Sequence, residues 1–284
     1  MNILDDLKLQ YNTGGMVQKL IFWNIGCFLF SLVFFYSFSV GSFQIPTWIA
    51  LSSDFGTFIR TPWTLITFNF FHAGFLHLIF NLMVLHFSGR LFSTYFTDKQ
   101  LLGVYVLGGI FSGLTFVLSY IVIGKSGLLV GASGAIMAIL IATATYAPFM
   151  LLRIPLIGIV KLWHVAFVIL LVDLIQMPLD NTGGHLAHLG GALFGFIYIK
   201  LLQSGKDITK PFLALLDTFA NLFKPKKKTP FKKVHRNTTK KVVNSFTEKD
   251  ITQKQIDDIL DKISKSGYDS LTKEEKEFLF KAGK

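Results

Sequence analysis

Six stretches of this chain, at roughly 20–40, 75–96, 101–123, 133–149, 157–177 and 185–203, are predominantly apolar, and they restrict its fold more than any other feature. A helix needs about 20 mostly apolar residues to cross the hydrocarbon core of a bilayer. The expected fold is therefore an all-α membrane protein, a bundle of six transmembrane helices. The fourth stretch is short and rich in small residues. The second and sixth contain histidines, and the fifth holds Lys161, His164 and Asp173. No repeat of fixed period is visible, so a transporter built from two similar halves finds no support.

Composition agrees with a membrane protein: 51% of the residues are hydrophobic and 15% aromatic. The net charge of +11 resembles a nucleic-acid signal until it is located. Of 28 Lys and Arg, 20 lie from Lys200 onward and only 8 precede it. A basic patch confined to the end of a membrane chain reports orientation, and no nucleic-acid partner is expected. Six spans put both termini on one side. The tail from Lys200 to Lys241 holds twelve basic residues against Asp207 and Asp217, which makes that side cytoplasmic. Arg90, Lys99 and Arg153 agree; Arg60 and Lys125 oppose weakly. Asp5 and Asp6 spoil a basic signal-peptide start, and the lone Cys27 excludes an internal disulfide. A chain rich in lysine and phenylalanine suggests a bacterial cytoplasmic membrane.

The domain reading is a cytoplasmic segment at 1–19, a membrane domain at 20–203, an interfacial helix and basic linker at 204–246, and a small helical region at 247–284. The first outer connection, about 41–74, carries Pro46, Trp48, Pro62 and Trp63, as suits a segment in the membrane interface. In "PFLALLDTFANLF" (211–223) the apolar residues form a helical stripe, followed by Lys224, Lys226, Lys227 and Lys228. That pattern points to a helix on anionic lipid. Further on, Ile256, Ile259, Leu260 and Ile263 share one helix face. Gly267 closes that helix, and Ser270 or Thr272 caps a second one. So few apolar positions make a marginal core.

Ionisable and amide groups inside apolar spans are costly and are candidates for function. In "HAGFLHLIFN", His77 and Asn81 are four residues apart and share a helix face, with His72 just before them. In "HLAHLGGALFG", His185, His188, Gly191 and Gly195 have helical spacing, and the two glycines permit close approach of a neighbouring helix. The fourth stretch offers a matching surface in Gly134, Ala135, Ala138 and Ala142. Packing of the fourth on the sixth brings His188 toward Ser133, which stands between Gly131 and Gly134. A serine, a histidine able to act as its base, and two further donors then occupy one place. A serine hydroxyl needs such a base to become a nucleophile. The oxyanion that follows needs preplaced donors, and a helix start supplies free N–H groups.

This pattern resembles the rhomboid family of intramembrane serine proteases. The resemblance covers residues 15–203 and is carried by "HAGFLHLIFN", "GASG" (131–134) and "AHLGGALFG" (187–195), in that order. It implies a six-helix bundle with a Ser–His dyad below the outer surface, cutting transmembrane-protein substrates near the outer end of their helices. Ser133 would be the nucleophile and His188 the base. His77, Asn81 and the Ser133 N–H would hold the oxyanion, Gly131 and Met137 would contact substrate, and His72 would brace the first outer loop. No cofactor and no metal are implied. Asp173 suggests a triad, but the family uses a dyad. His185 reads as a cavity-rim residue, and His86 and His164 as structural or interfacial. In two places the chain departs from the family. Thr64 follows Trp63 where an arginine is common, and Met137 stands where some members place an aromatic ring. Two alternatives stay open: a rhomboid-like protein that binds transmembrane helices without cutting them, and a proton- or metal-linked carrier using His72, His77, His188 and Asp173.

Overall fold

The computed structural model describes residues 2–178, 181–222 and 248–282. The chain divides into two units, Met1–Lys224 and Pro225–Lys284. In the first, α1 (Ile3–Thr13) and α2 (Met16–Phe34) precede a small hairpin, β1 (Tyr36–Ser37) with β2 (Ser42–Phe43). The connecting segment then runs through β3 (Leu51–Ser52), α3 (Phe55–Arg60), α4 (Thr64–Thr67) and a 3-10 turn at Phe68–Phe70. There follow α5 (Phe75–Phe92), α6 (Asp98–Ile123), β4 (Leu128–Leu129) and α7 (Ser133–Tyr146). A second hairpin, β5 (Leu151–Ile154) with β6 (Gly158–Lys161), leads to α8 (Leu162–Gln176), α9 (Thr182–Gln203) and α10 (Thr209–Leu222).

Among the described residues, four helices are long and apolar enough to cross a membrane: α2, α5, α6 and α9. The apolar helices α7 and α8 are shorter, at 14 and 15 residues. Two of the expected stretches lose one end to a hairpin. The first ends at Phe34 rather than near 40, because Gly41, at φ +69°, turns the chain so that Tyr36 pairs with Phe43. The fifth begins at Leu162 rather than 157, because residues 158–161 form β6, with Leu152 opposite Val160. Leu156 and Gly158 take positive φ at that turn. A hairpin of Leu, Ile and Val is as apolar as a helix, so hydrophobicity alone merges the two.

Helix α7 is the centre of the unit, buried from Gly134 to Ala144 and surrounded by α5, α6, α8 and α9. A helix apolar on every side belongs in such a position. Missing side chains let its neighbours come close. A Cβ on Gly191 of α9 would fall on the Gly134 carbonyl oxygen, and one on Gly195 would fall on that of Ala138. From α6, Gly108 meets the Ala138 methyl group. Small residues at crossing points are how membrane helices gain packing when lipid is as apolar as their side chains. Phe80, Met83, Val122, Leu193 and Phe196 face outward, where a water-soluble protein would hide them. Buried polar groups are tied together: Asn24 Nδ2 donates to the Leu20 carbonyl (2.8 Å) and to Tyr105 Oη (3.2 Å), and Tyr105 donates to the Asn69 carbonyl (3.0 Å). This chain joins α2, α6 and the 3-10 turn.

The second unit contains α11 (Glu248–Ser266), a 3-10 turn at Tyr268–Ser270 and α12 (Lys273–Ala282). Ile259 and Leu271 are buried, whereas Leu260 is half exposed and leaves the expected apolar face. Thr272, not Ser270, caps α12: its Oγ1 accepts from the Glu275 N–H (3.3 Å), and Glu275 accepts from the Thr272 N–H (2.7 Å). Lys262 donates to both Glu275 oxygens, at 2.8 and 2.9 Å. With the Thr272 N–H it holds the Glu275 carboxyl below its usual range. The lysines expected to flank α10, and most of the 204–246 linker, lie outside the described residues.

Candidate active site

Ser133 is placed by its approach to α7. β4 pairs antiparallel with β3, Leu51 opposite Leu129. Just before it, the Gly127 N–H donates to Ser53 Oγ (2.8 Å) and the Ser53 N–H to the Gly127 carbonyl (3.0 Å). The Gly131 N–H then donates to the Phe68 carbonyl (2.9 Å). Gly131 has φ +132°, which side chains rarely adopt, and a Cβ there would stand 2.9 Å from the His77 ring. The chain turns on this glycine and enters α7 at Ser133, whose N–H lies in the first turn and lacks an intrahelical acceptor.

The histidines come from α9. Asn181 precedes it in the left-handed conformation and accepts from the Gly184 N–H (3.3 Å). One turn further, His188 Nε2 lies 2.6 Å from Ser133 Oγ. On its other edge, His188 Nδ1 lies 2.9 Å from Asp173 Oδ1, and His185 Nδ1 lies 2.7 Å from the same oxygen. An ionised carboxylate only accepts, so both Nδ1 atoms carry their protons and both Nε2 atoms are left with a lone pair. For His188 that lone pair faces the serine hydroxyl. A base held in this tautomer can take the hydroxyl proton while the carboxylate stabilises the imidazolium that forms.

The facing wall is α5. His77 and Asn81 line a cavity of about 520 Å³ together with Ser133, Met137, Asp173 and His188. Asn81 Nδ2 donates one hydrogen to the His77 carbonyl (2.8 Å), leaving a second for another acceptor. His72 is fully buried, its ring edge-on to His77 with centroids 5.1 Å apart. Met137 lines the cavity and also packs with Leu140, Ile141 and Leu162. Gly131, buried, packs against the His77 ring. His86 and His164 are exposed and lie apart from this group. The segment between α2 and α5, lacking arginine at 64, is anchored otherwise. Trp63 Nε1 donates to the Trp48 carbonyl (2.8 Å), and Thr67 Oγ1 to that of Ile49 (2.8 Å).

The placement of Asp173 and His185 departs most from the sequence reading. His185 is not a bare rim residue: it shares a carboxylate with His188. Asp173 completes a Ser–His–Asp line that the dyad expectation had set aside. The signal available was a lone acid in a mostly apolar run of 15 residues. The carrier's ligand set does not assemble. Among the described residues, the group with converging ligand atoms is Asp173, His185 and His188, without His72 or His77.

A helical membrane protein with serine, imidazole and carboxylate in one hydrogen-bonded line at a helix start defines the class. The chain belongs to the rhomboid family: the Rhomboid domain model matches residues 60–204. A second model, a family of unknown function (DUF6576), matches 243–281. Similar proteins include presenilin-associated rhomboid-like protein A, mitochondrial, of Danio rerio, 34% identical over 137 residues, or 46% of this chain and 35% of that protein. The Homo sapiens presenilin-associated rhomboid-like protein, mitochondrial, is 31% identical over 143 residues, or 49% and 37% of the two chains. The matched stretch thus spans little more than a third of these relatives.

Proposed function

We propose that this chain is an intramembrane serine endopeptidase that cleaves transmembrane helices near their outer end. The observation that carries the reading is the 2.6 Å contact between Ser133 Oγ and His188 Nε2 on the wall of an open cavity. Ser133 Oγ attacks the scissile carbonyl carbon as its proton passes to His188 Nε2. The oxyanion is held by the Ser133 N–H, His77 and Asn81. Collapse expels the amine, which takes the proton from His188 and leaves an acyl group on Ser133. Water, deprotonated by His188, then releases the acid. Asp173 keeps His188 in the working tautomer throughout.

In this reading α7 and α8 join the four longer helices to make six spans. At 1.5 Å per residue, α7 is about 21 Å long, shorter than the ~30 Å apolar core, so Ser133 starts below the membrane surface. The basic end from Lys200 lies on the side that retains positive charge, the cytoplasm of a bacterium or the matrix of a mitochondrion. Helix α10 docks on the core through Phe212 and turns its exposed Leu215 and Leu216 toward anionic lipid there. Residues 20–203 form the protease domain, and 247–284 an appendage.

The names of the relatives, rhomboid-like and presenilin-associated, suit a second reading: a protein that holds transmembrane helices in this cleft without cutting them. The test is labelling by a serine-directed fluorophosphonate, beside cleavage of a model transmembrane substrate in detergent. Labelling and cleavage, both lost in Ser133→Ala, support the protease. Substrate binding with neither would establish the second reading.

A further inference from the structure

Two imidazoles converge on one carboxylate oxygen behind Ser133, which is more than a serine and its base require. His185 Nδ1, His188 Nδ1 and Asp173 Oδ1 offer ligand atoms within 4.8 Å of one another. The other oxygen, Asp173 Oδ2, is buried and takes no hydrogen bond from any described residue. Leaving such an acceptor unused inside a protein is costly. Two imidazoles and one carboxylate form a recurrent ligand set for zinc, with the fourth position open to water. The adjoining cavity reaches both Asp173 and His188.

We propose that Asp173, His185 and His188 form a Zn(II) site that switches the serine off. This rests on the reading of Ser133 and His188 as nucleophile and base. Ligand atoms around tetrahedral zinc, at about 2.0 Å from the metal, stand roughly 3.3 Å apart. The present separations of 2.7 and 2.9 Å therefore open by about half an ångström as each hydrogen bond is exchanged for a metal bond. Zinc takes an Nδ1 lone pair from His185 and one from His188, and the proton that leaves each Nδ1 is taken up, through solvent, at Nε2 of the same ring, so both imidazoles change tautomer, His188 among them. The His188 ring stays neutral, but its Nε2 is now a donor. It no longer accepts the Ser133 proton, and the hydroxyl stays a poor nucleophile. No bond in the protein is broken and no electron is transferred.

Equilibrium dialysis of the purified full-length chain against zinc, with cobalt absorption as a second readout, tests the site apart from activity. Fluorophosphonate labelling with and without zinc tests the switch. The expected results are one ion per chain, a labelling rate reduced at least about 10-fold at saturating zinc, and recovery with EDTA. Even a partner that only supports a metal ligand is worth about 10–100-fold in affinity. His185→Ala should lose at least that much and keep labelling in zinc, while His86→Ala and His164→Ala bind as the parent does. His185→Gln, which still bonds Asp173, serves if the alanine variant fails to fold. Unchanged binding in both His185 variants, or full labelling with zinc bound, overturns the proposal. If the metal-free parent neither labels nor cleaves, the protease reading fails, and the site is still decided by dialysis.

Discussion

At the scale of single residues, Asn81 separates oxyanion support from helix packing. Loss of one oxyanion donor costs about 10²–10³ in turnover. Loss of an interhelical hydrogen bond costs on average about 0.6 kcal/mol of stability. Asn81→Ala should therefore cleave slowly with little change in melting temperature, measured in one detergent. Normal turnover with lowered stability would remove it from the site. Asp173→Asn keeps the shape but lets His188 adopt the wrong tautomer, and turnover should fall by up to about 10⁴-fold. A near-normal rate would leave a working dyad. EDTA should not lower cleavage of the model substrate, since the chemistry needs no metal. Ser133 and His188 were legible together because each sits in a local glycine pattern that says which helices touch. Asp173 was not. Its partners stand 12 and 15 residues along the chain, beyond the turn between two helices, where no periodicity relates them.

Among the elements, the α7–α9 contact carries the clearest expectation. Gly191→Leu adds a side chain where the Gly134 carbonyl already lies, so α9 must withdraw and take His188 with it. A displacement of about 1 Å can cost roughly 10² in rate. The folded variant should lose cleavage without losing any catalytic atom. Gly26→Ala in α2, where nothing lies within 4 Å of the added carbon, should cleave as the parent does. Normal activity of Gly191→Leu would mean that α9 does not hold His188 in place. The long helices and this glycine crossing were readable as runs and spacings. The two hairpins were not, because Tyr36–Phe43 and Leu151–Lys161 are strand pairs by register, which hydropathy does not record.

For the whole molecule, the docking of α10 sets the point at which the chain can be cut. Ending near Lys210 would remove most of α10, including Phe212, which packs on the main core, and would put Thr209, fully buried against Gly103 of α6, at the chain end. Asp207 binds Gln100 (3.2 Å) and caps Thr209 through its N–H (3.0 Å), which fixes the start of α10. A chain ending at Lys224, the boundary between the units, should cleave a model substrate in detergent at the full-length rate. One ending at Lys210 should melt at lower temperature. Inactivity of a folded Lys224 truncation would give the second unit a part in the reaction. The basic tail was readable as charge, but the docking of α10 was not, since its apolar stripe suits lipid and protein equally.

The glycines of α9 also limit how this protein can change over generations. Most interior positions of a membrane helix drift among leucine, isoleucine, valine and phenylalanine, because lipid accepts them alike. Gly191 and Gly195 have no such neighbours to drift to. Every codon one base away from glycine, other than a synonymous one, adds a Cβ or ends the chain, and the space is filled by another helix's carbonyl oxygen. No single compensating substitution on α7 can clear that space, since what fills it is backbone rather than side chain. In a saturation library scored for cleavage, these two positions should be as intolerant as Ser133 itself.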